Sequence, residues 1–401
     1  MHRFSLVFLF TVFVVGVHCA LAQHASPNDV EPKSLAVPPA GAVIDMEVYA
    51  GKPVVQVKIN GSGPFRMFLD TGAGGTVLSQ ELANELKLVS DGKVRIGDPA
   101  SPNGIEADHN HIEKLEIGGV TFSDFFAVSF DRAGLYPPGA PRGVVGMPLF
   151  RKLLLTIDYP QSKISIASGA LPAADGKKVL DYTPGEAGLI AVPLKVNGAG
   201  VDATIDSGAQ SGVSFPQDQM DKLPLAGKPV EVGRGRTVAG EAIIYGAQLA
   251  GEIDLGENKL TNPNVRFFGR LTHVNVGYEF LRPFAVTIDQ QNKRIRFEKG
   301  VAVAVATTAP SHTTAASGKY AALAGLYGER RVTAENDGIF IQRLSGPMGE
   351  GPKLKLIEVR PGEFAMEGQS EVRFKFKSEG GEVSLSVLNP SGAWETASQK
   401  N

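Results

Sequence analysis

The chain has 401 residues, 43% of them hydrophobic and 20% charged, with a formal net charge of −2. That is material for two or three globular domains and excludes a disordered or fibrous chain. No basic field or run of like charge is present to hold nucleic acid, so none is expected as a partner.

Residues 1–22 have the layout of a cleavable secretory signal: His2 and Arg3, an apolar run from Phe4 to Val17, then Ala20-Leu21-Ala22 before Gln23. The expected location is therefore periplasmic or extracellular. No later apolar run reaches the roughly 18 residues a spanning helix needs, so no transmembrane segment is expected. Cys19 is the single cysteine and lies inside the signal, so disulfides and thiol chemistry are not expected in the exported chain. Lipidation at Cys19 is the competing reading, disfavoured by the bulky His18 before it.

Residues 23–40, rich in Pro and Ala without periodicity, read as a linker. From Val43 onward, β-branched and alternating residues broken at Asn60-Gly61 predict strand, turn and strand. The main helical expectations are Ser79 to Leu88 and a short stretch from Pro216 to Leu223.

Two segments recur in the same order. Phe68-Leu69-Asp70-Thr71-Gly72-Ala73 is echoed by Thr204-Ile205-Asp206-Ser207-Gly208-Ala209. The run from Val144 through Val145-Gly146 to Thr156-Ile157-Asp158 is echoed from Asn275 through Val276-Gly277 to Thr287-Ile288-Asp289. Asp70 lies 76 residues before Gly146, and Asp206 lies 71 before Gly277. The repeat predicts two duplicated lobes, 41–172 and 173–300. Residues 301–318 read as a second linker. Residues 319–401 read as a small antiparallel β domain, with Val372, Phe374 and Phe376 forming a hairpin with Val383, Leu385 and Val387 through Gly380-Gly381. Trp394 is read as a closing core residue of that unit.

A single Asp-Ser-Gly is ordinarily a surface turn. Two, each ending an apolar strand pattern, point to chemistry instead. Gly72 and Gly208 let the backbone turn where a side chain would clash, and the hydroxyls of Thr71 and Ser207 can bond the opposite loop. Two carboxylates brought together share one proton, which puts an acid and a base in one site able to activate a water without a covalent intermediate.

These segments resemble the signatures of the retropepsin and pepsin-like aspartic peptidases over residues 41 to 300. The resemblance implies an all-β fold of two homologous acid-protease β-barrel lobes with a cleft between them. It implies Asp70 and Asp206 as the catalytic pair, supported by Thr71, Gly72, Ser207 and Gly208, with a peptide or protein as substrate. No metal or organic cofactor is implied, and a monomer with an intramolecular pseudo-dimer of lobes is expected. A binding protein that uses the same cleft for peptide or cell-wall material without turnover is the competing reading. The third unit weakly resembles the small β domain appended to some exported serine hydrolases of the β-lactamase type, which specifies no chemistry.

Two departures from the family pattern bear on the site. The stretch Val94 to Glu116, where pepsin-like enzymes carry a flap tyrosine, has no Tyr, Phe or Trp. Ala73 and Ala209 follow the motif glycines where pepsins have a hydroxyl, which is expected to move the optimum toward neutrality. Elsewhere, Asp108-His109-Asn110-His111 reads as an exposed polar turn rather than a metal site. Arg234-Gly235-Arg236 to Gly240 reads as a glycine-rich hairpin tip, either solvated or lying over the cleft.

Overall fold

A computed structural model of the chain describes residues 29–97, 105–131, 139–185, 188–237, 240–300, 319–327, 330–335, 338–343, 353–366, 369–379, 382–388 and 394–399. The segment 1–22 read as a signal, with Cys19, the segment 301–318 read as a linker, Gly380-Gly381 and the tip at 238–239 lie outside the described residues, as does the Trp394 side chain. The protein is almost entirely β. The described strands fall into two compact units, the larger running from Ser34–Ala36 to Arg294–Lys299 and the smaller from Gly325–Tyr327 to Trp394–Gln399. No helix among the described residues is long and apolar enough to cross a membrane.

In the larger unit, a nine-stranded sheet carries the first aspartate motif. Its long hairpin, Ile105–Ile117 with Val120–Phe130, pairs at one side with Lys52–Ile59 and at the other with Val77–Ser79, so the sheet curls closed on itself. A ten-stranded sheet carries the second motif. Between them runs a six-stranded sheet to which both halves contribute, through the antiparallel pair Leu154–Asp158 and Phe284–Asp289. These are the two Thr-Ile-Asp repeats. Alternation buries Leu155, Ile157 and Ile288, while Thr156 and Thr287 sit opposite one another with hydroxyls 2.9 Å apart. The aspartates ending these strands cap the turns that follow: Asp158 accepts from Gln161 N at 3.0 Å and Asp289 from Asn292 N at 3.0 Å. One continuous core includes Val145, Leu155 and Phe122 of the first half with Val276, Ile288 and Phe297 of the second.

The helix expected from Ser79 forms over Gln80–Glu85, with Ser79 Oγ accepting from Leu82 N at 3.1 Å and Leu82 fully buried. Its counterpart after Pro216 is a single 3₁₀ turn, Gln217–Gln219, with no buried residue to anchor a longer helix. Within the segment read as a linker, Ser34–Ala36 forms a short strand on Thr121–Ser123.

The smaller unit is one eight-stranded antiparallel sheet. Phe374 faces Val387 and Phe376 faces Leu385, the register expected from alternation, and these side chains pack with Tyr327, Ile339 and Phe364.

Candidate active site

Asp70 ends, and Asp206 directly follows, a strand laid parallel to the second repeated motif. Phe68, Leu69 and Asp70 pair with Val144, Val145 and Gly146; Ala203, Thr204 and Ile205 pair with Val274, Asn275 and Val276. The loop after each aspartate then folds over the glycine of the neighbouring strand. A Cβ at Gly146 would collide with Gly75 O and Ala73 O, and one at Gly277 with Ser211 O and Ala209 O at 2.5 and 2.6 Å. Both glycines are thus required by the close approach of a backbone loop rather than by an unusual dihedral. The repeated pairing of motifs has this steric origin: one supplies the carboxylate, the other the flat surface its loop rests on.

The two loops meet through a reciprocal set of buried hydrogen bonds. Thr71 Oγ1 donates to Ile205 O at 2.7 Å and accepts from Ser207 N at 2.9 Å; Ser207 Oγ donates to Leu69 O at 2.8 Å and accepts from Thr71 N at 3.0 Å. Four backbone groups that would otherwise be buried unpaired are satisfied by the other loop's hydroxyl. Each aspartate accepts from its own motif glycine, Gly72 N to Asp70 Oδ1 and Gly208 N to Asp206 Oδ1, both at 2.8 Å. The carboxyls lie within hydrogen-bonding reach of one another, and both are nearly fully buried. Each motif glycine faces the other loop's carboxyl, so a Cβ at Gly72 would lie 2.7 Å from Asp206 Oδ1.

Burial, and after it the neighbouring Asp206 charge, pushes the Asp70 carboxyl well above the usual carboxylate range; the Gly72 N–H and the Lys52 charge oppose this in part. The environment of the pair is asymmetric. Asn275 Nδ2 donates to Asp206 Oδ2 at 2.7 Å, whereas the register-equivalent residue beside Asp70 is Val144. Asp206 thus has a side-chain donor from the neighbouring strand although Ala209 after its motif glycine offers none. Asn275 and the buried Lys52 are the site residues that motif reading passed over. Asn275 carried a legible signal, being polar in a motif that is apolar in the other copy. Lys52 carried none, since a lysine opening a strand is ordinarily solvated.

Asp108 to His111 is not the exposed turn expected from its polarity. It lies inside the strand Ile105–Ile117, with His109 stacked on Phe126 at 4.2 Å and 2.7 Å from Asp91, and His111 2.5 Å from Asp124. Long strand partners on both sides override the turn preference of Asp and Asn. Among the described residues no three His, Cys, Asp or Glu side chains come together in a group that could hold a metal. The stretch without aromatics, Val94 to Glu116, belongs to a hairpin of Ser90–Ile96 with Ile105–Ile117, whose tip lies outside the described residues. Val230–Thr237 and Gly240–Gln248 form the expected second-half hairpin.

Residues 55–149 match a family model described as aspartyl protease. That span holds Asp70-Thr71-Gly72 and Val144-Val145-Gly146, and ends before Asp206. The match points to a hydrolase of the aspartic protease type acting on peptide. No curated protein matches the chain.

Proposed function

We propose that the protein is an exported, single-chain aspartic endopeptidase whose two lobes are copies of one unit, and that Asp70 and Asp206 together activate the attacking water. The observation that carries this reading is the pair of buried carboxyls within hydrogen-bonding reach, held by two loops cross-braced through Thr71 and Ser207. Two carboxylates so placed cannot both ionise easily and retain one proton between them.

The surroundings support one division of roles. Asp70, raised by burial and by its neighbour's charge, holds the shared proton. Asp206, which accepts from Gly208 N and Asn275 Nδ2, is the partner left to act as base. With a peptide across the pair, Asp206 takes a proton from the bound water as its oxygen attacks the scissile carbonyl carbon. Asp70 gives its proton to the carbonyl oxygen, and a neutral tetrahedral diol forms. Collapse breaks the C–N bond as the proton on Asp206 passes to the leaving amine and a diol proton returns to Asp70, which restores the starting state.

The test is cleavage of a diverse peptide library by the purified protein across pH 3 to 8, beside Asp70→Asn and Asp206→Asn. Turnover that falls by more than about a hundredfold in both variants supports the shared pair. Peptide binding without turnover at any pH would replace this reading by that of a binding protein using the same cleft.

A further inference from the structure

Lys52 opens the strand Lys52–Ile59 yet is only 4% exposed, so its ammonium does not reach out to water as a lysine in this place ordinarily would. The antiparallel pairing of this strand with Ser62–Asp70 sets Val54 opposite Phe68. One further step of the same register brings Lys52 opposite Asp70. Its Nζ lies 5.5 Å from the centre of the Phe68 ring, and Phe68, two residues before Asp70, projects from the same face of the strand as the carboxyl. The turn that presents Lys52 abuts the second half: a Cβ at Gly51 would lie 3.0 Å from both Gln210 Cγ and Tyr278 Cδ1.

The second copy shows that the fold does not need a cation here. Ala191 pairs with Thr204 as Val54 pairs with Phe68, so Leu189 is the counterpart of Lys52 and stands opposite Asp206. Leu189 is as deeply buried, at 3% exposed. The halves differ in complementary ways: the first has Lys52 and Val144 where the second has Leu189 and Asn275. The donor to Asp206 and the positive charge near Asp70 thus come from different strands of their respective halves. An ammonium buried where a leucine fits loses its hydration, and a negative charge nearby offsets that loss.

We propose that Lys52 is a positioning residue of the catalytic pair, its buried charge fixing where on the pH scale the singly protonated pair exists. The inference rests on the peptidase reading. A fixed positive charge favours each loss of a proton from the pair, so it places the working window at lower pH than two buried carboxyls alone would have. It thereby offsets in part the burial and the Asp206 charge that raise Asp70. The other groups facing the pair or Lys52 do not supply such a charge. Tyr159, at the end of a shared-sheet strand, stays neutral because burial raises its pKa far above the ordinary phenol range, and Tyr278 beside Gly51 is raised for the same reason. Tyr49 faces Lys52 across the hairpin turn, and Glu47 of that strand is paired with Arg66 at 3.0 Å.

The experiment compares the parent with Lys52→Leu, which copies the second half, Lys52→Met, which keeps the stem, and Lys52→Arg, which keeps the charge; thermal melts establish that all three fold. In profiles of kcat/KM against pH, the limb at which Asp70 gives up its proton should lie about one pH unit higher in the Leu and Met variants than in the parent. Lys52→Arg should keep the parent's limb. An unmoved limb in the Leu and Met variants, or the same movement in Lys52→Arg, overturns the proposal, because lost packing lowers rates at every pH without moving the profile. Carbon-13 NMR of labelled aspartate carboxyls, with the Asp70 signal identified by its loss in Asp70→Asn, follows the same titration without turnover. If the parent cleaves nothing but the Asp70 titration rises by about one unit in Lys52→Leu, the role of Lys52 on the pair stands and the peptidase reading fails. If the parent cleaves nothing and the titration does not move, the proposal fails as well.

Discussion

At the residue scale, the buried carboxyl of Asp70 ties activity to stability. Its pKa is raised in the folded protein, so the folded state binds this proton more tightly than the unfolded chain. The corresponding stability is fully present below the ordinary carboxylate range and declines as pH rises toward the raised folded value. Asp70→Asn should therefore be more heat-stable than the parent at pH 7, by roughly 2–8 °C, with the difference vanishing near about pH 3.5, while its turnover is lost. Differential scanning calorimetry at the two pH values checks this, and a variant less stable at pH 7 would contradict it. Asn275 acts on the other carboxyl. Asn275→Val, which copies the residue at the equivalent place beside Asp70, removes a donor to ionised Asp206. The variant's kcat/KM should fall roughly tenfold; an unchanged kcat/KM would show that Asn275 only packs. With Ala73 offering no donor to Asp70, the parent optimum is expected above about pH 3.5.

At the scale of elements, the bracing of the two loops is the part most exposed to substitution. Thr71→Val keeps the shape of the side chain but strands Ile205 O and Ser207 N, both buried. The expected loss is about 2–5 kcal/mol in denaturant unfolding, whereas Thr71→Ser, which retains the hydroxyl, should lose much less. Equal losses in the two variants would mean that the methyl, not the hydroxyl, matters. The motif glycines are restricted for a different reason: Gly72→Ala places a methyl group 2.7 Å from Asp206 Oδ1, so it should abolish turnover by driving the carboxyls apart. The helix at Gln80–Glu85 and the 3₁₀ turn at Gln217–Gln219 show the limit of a local signal. Both follow an aspartate motif and open with a turn-forming residue, but only the first has Leu82 to bury, and packing determines how far each extends.

For the molecule as a whole, the shared six-stranded sheet makes the two halves of the larger unit one folding entity. Leu155 and Ile288 face each other across the strands contributed by the two halves. Leu155→Ala should cost about 2–5 kcal/mol and lower a single transition that carries signals from both halves, whereas the smaller unit, with its own core around Phe364 and Tyr327, should keep its midpoint. Two separate transitions within residues 41–300 would show that the halves fold independently.

The all-β class, the repeated motifs, the pairing of Asp70 with Asp206 and the hydroxyl bracing were legible in the chain itself. Each rests on a local rule, strand alternation, a glycine at a close approach or a short polar side chain at a turn, and the repeat applied each rule twice. Asp108 to His111 was misread because turn propensity is a local quantity, while the strand that holds them is decided by partners distant in sequence. Asn275 against Asp206, Lys52 near Asp70 and the burial of Arg266 beside Glu279 likewise belong to tertiary structure. Whether a charged or polar side chain is solvated, satisfied or left open for a ligand depends on what the fold places around it, and burial is a property of the assembled whole.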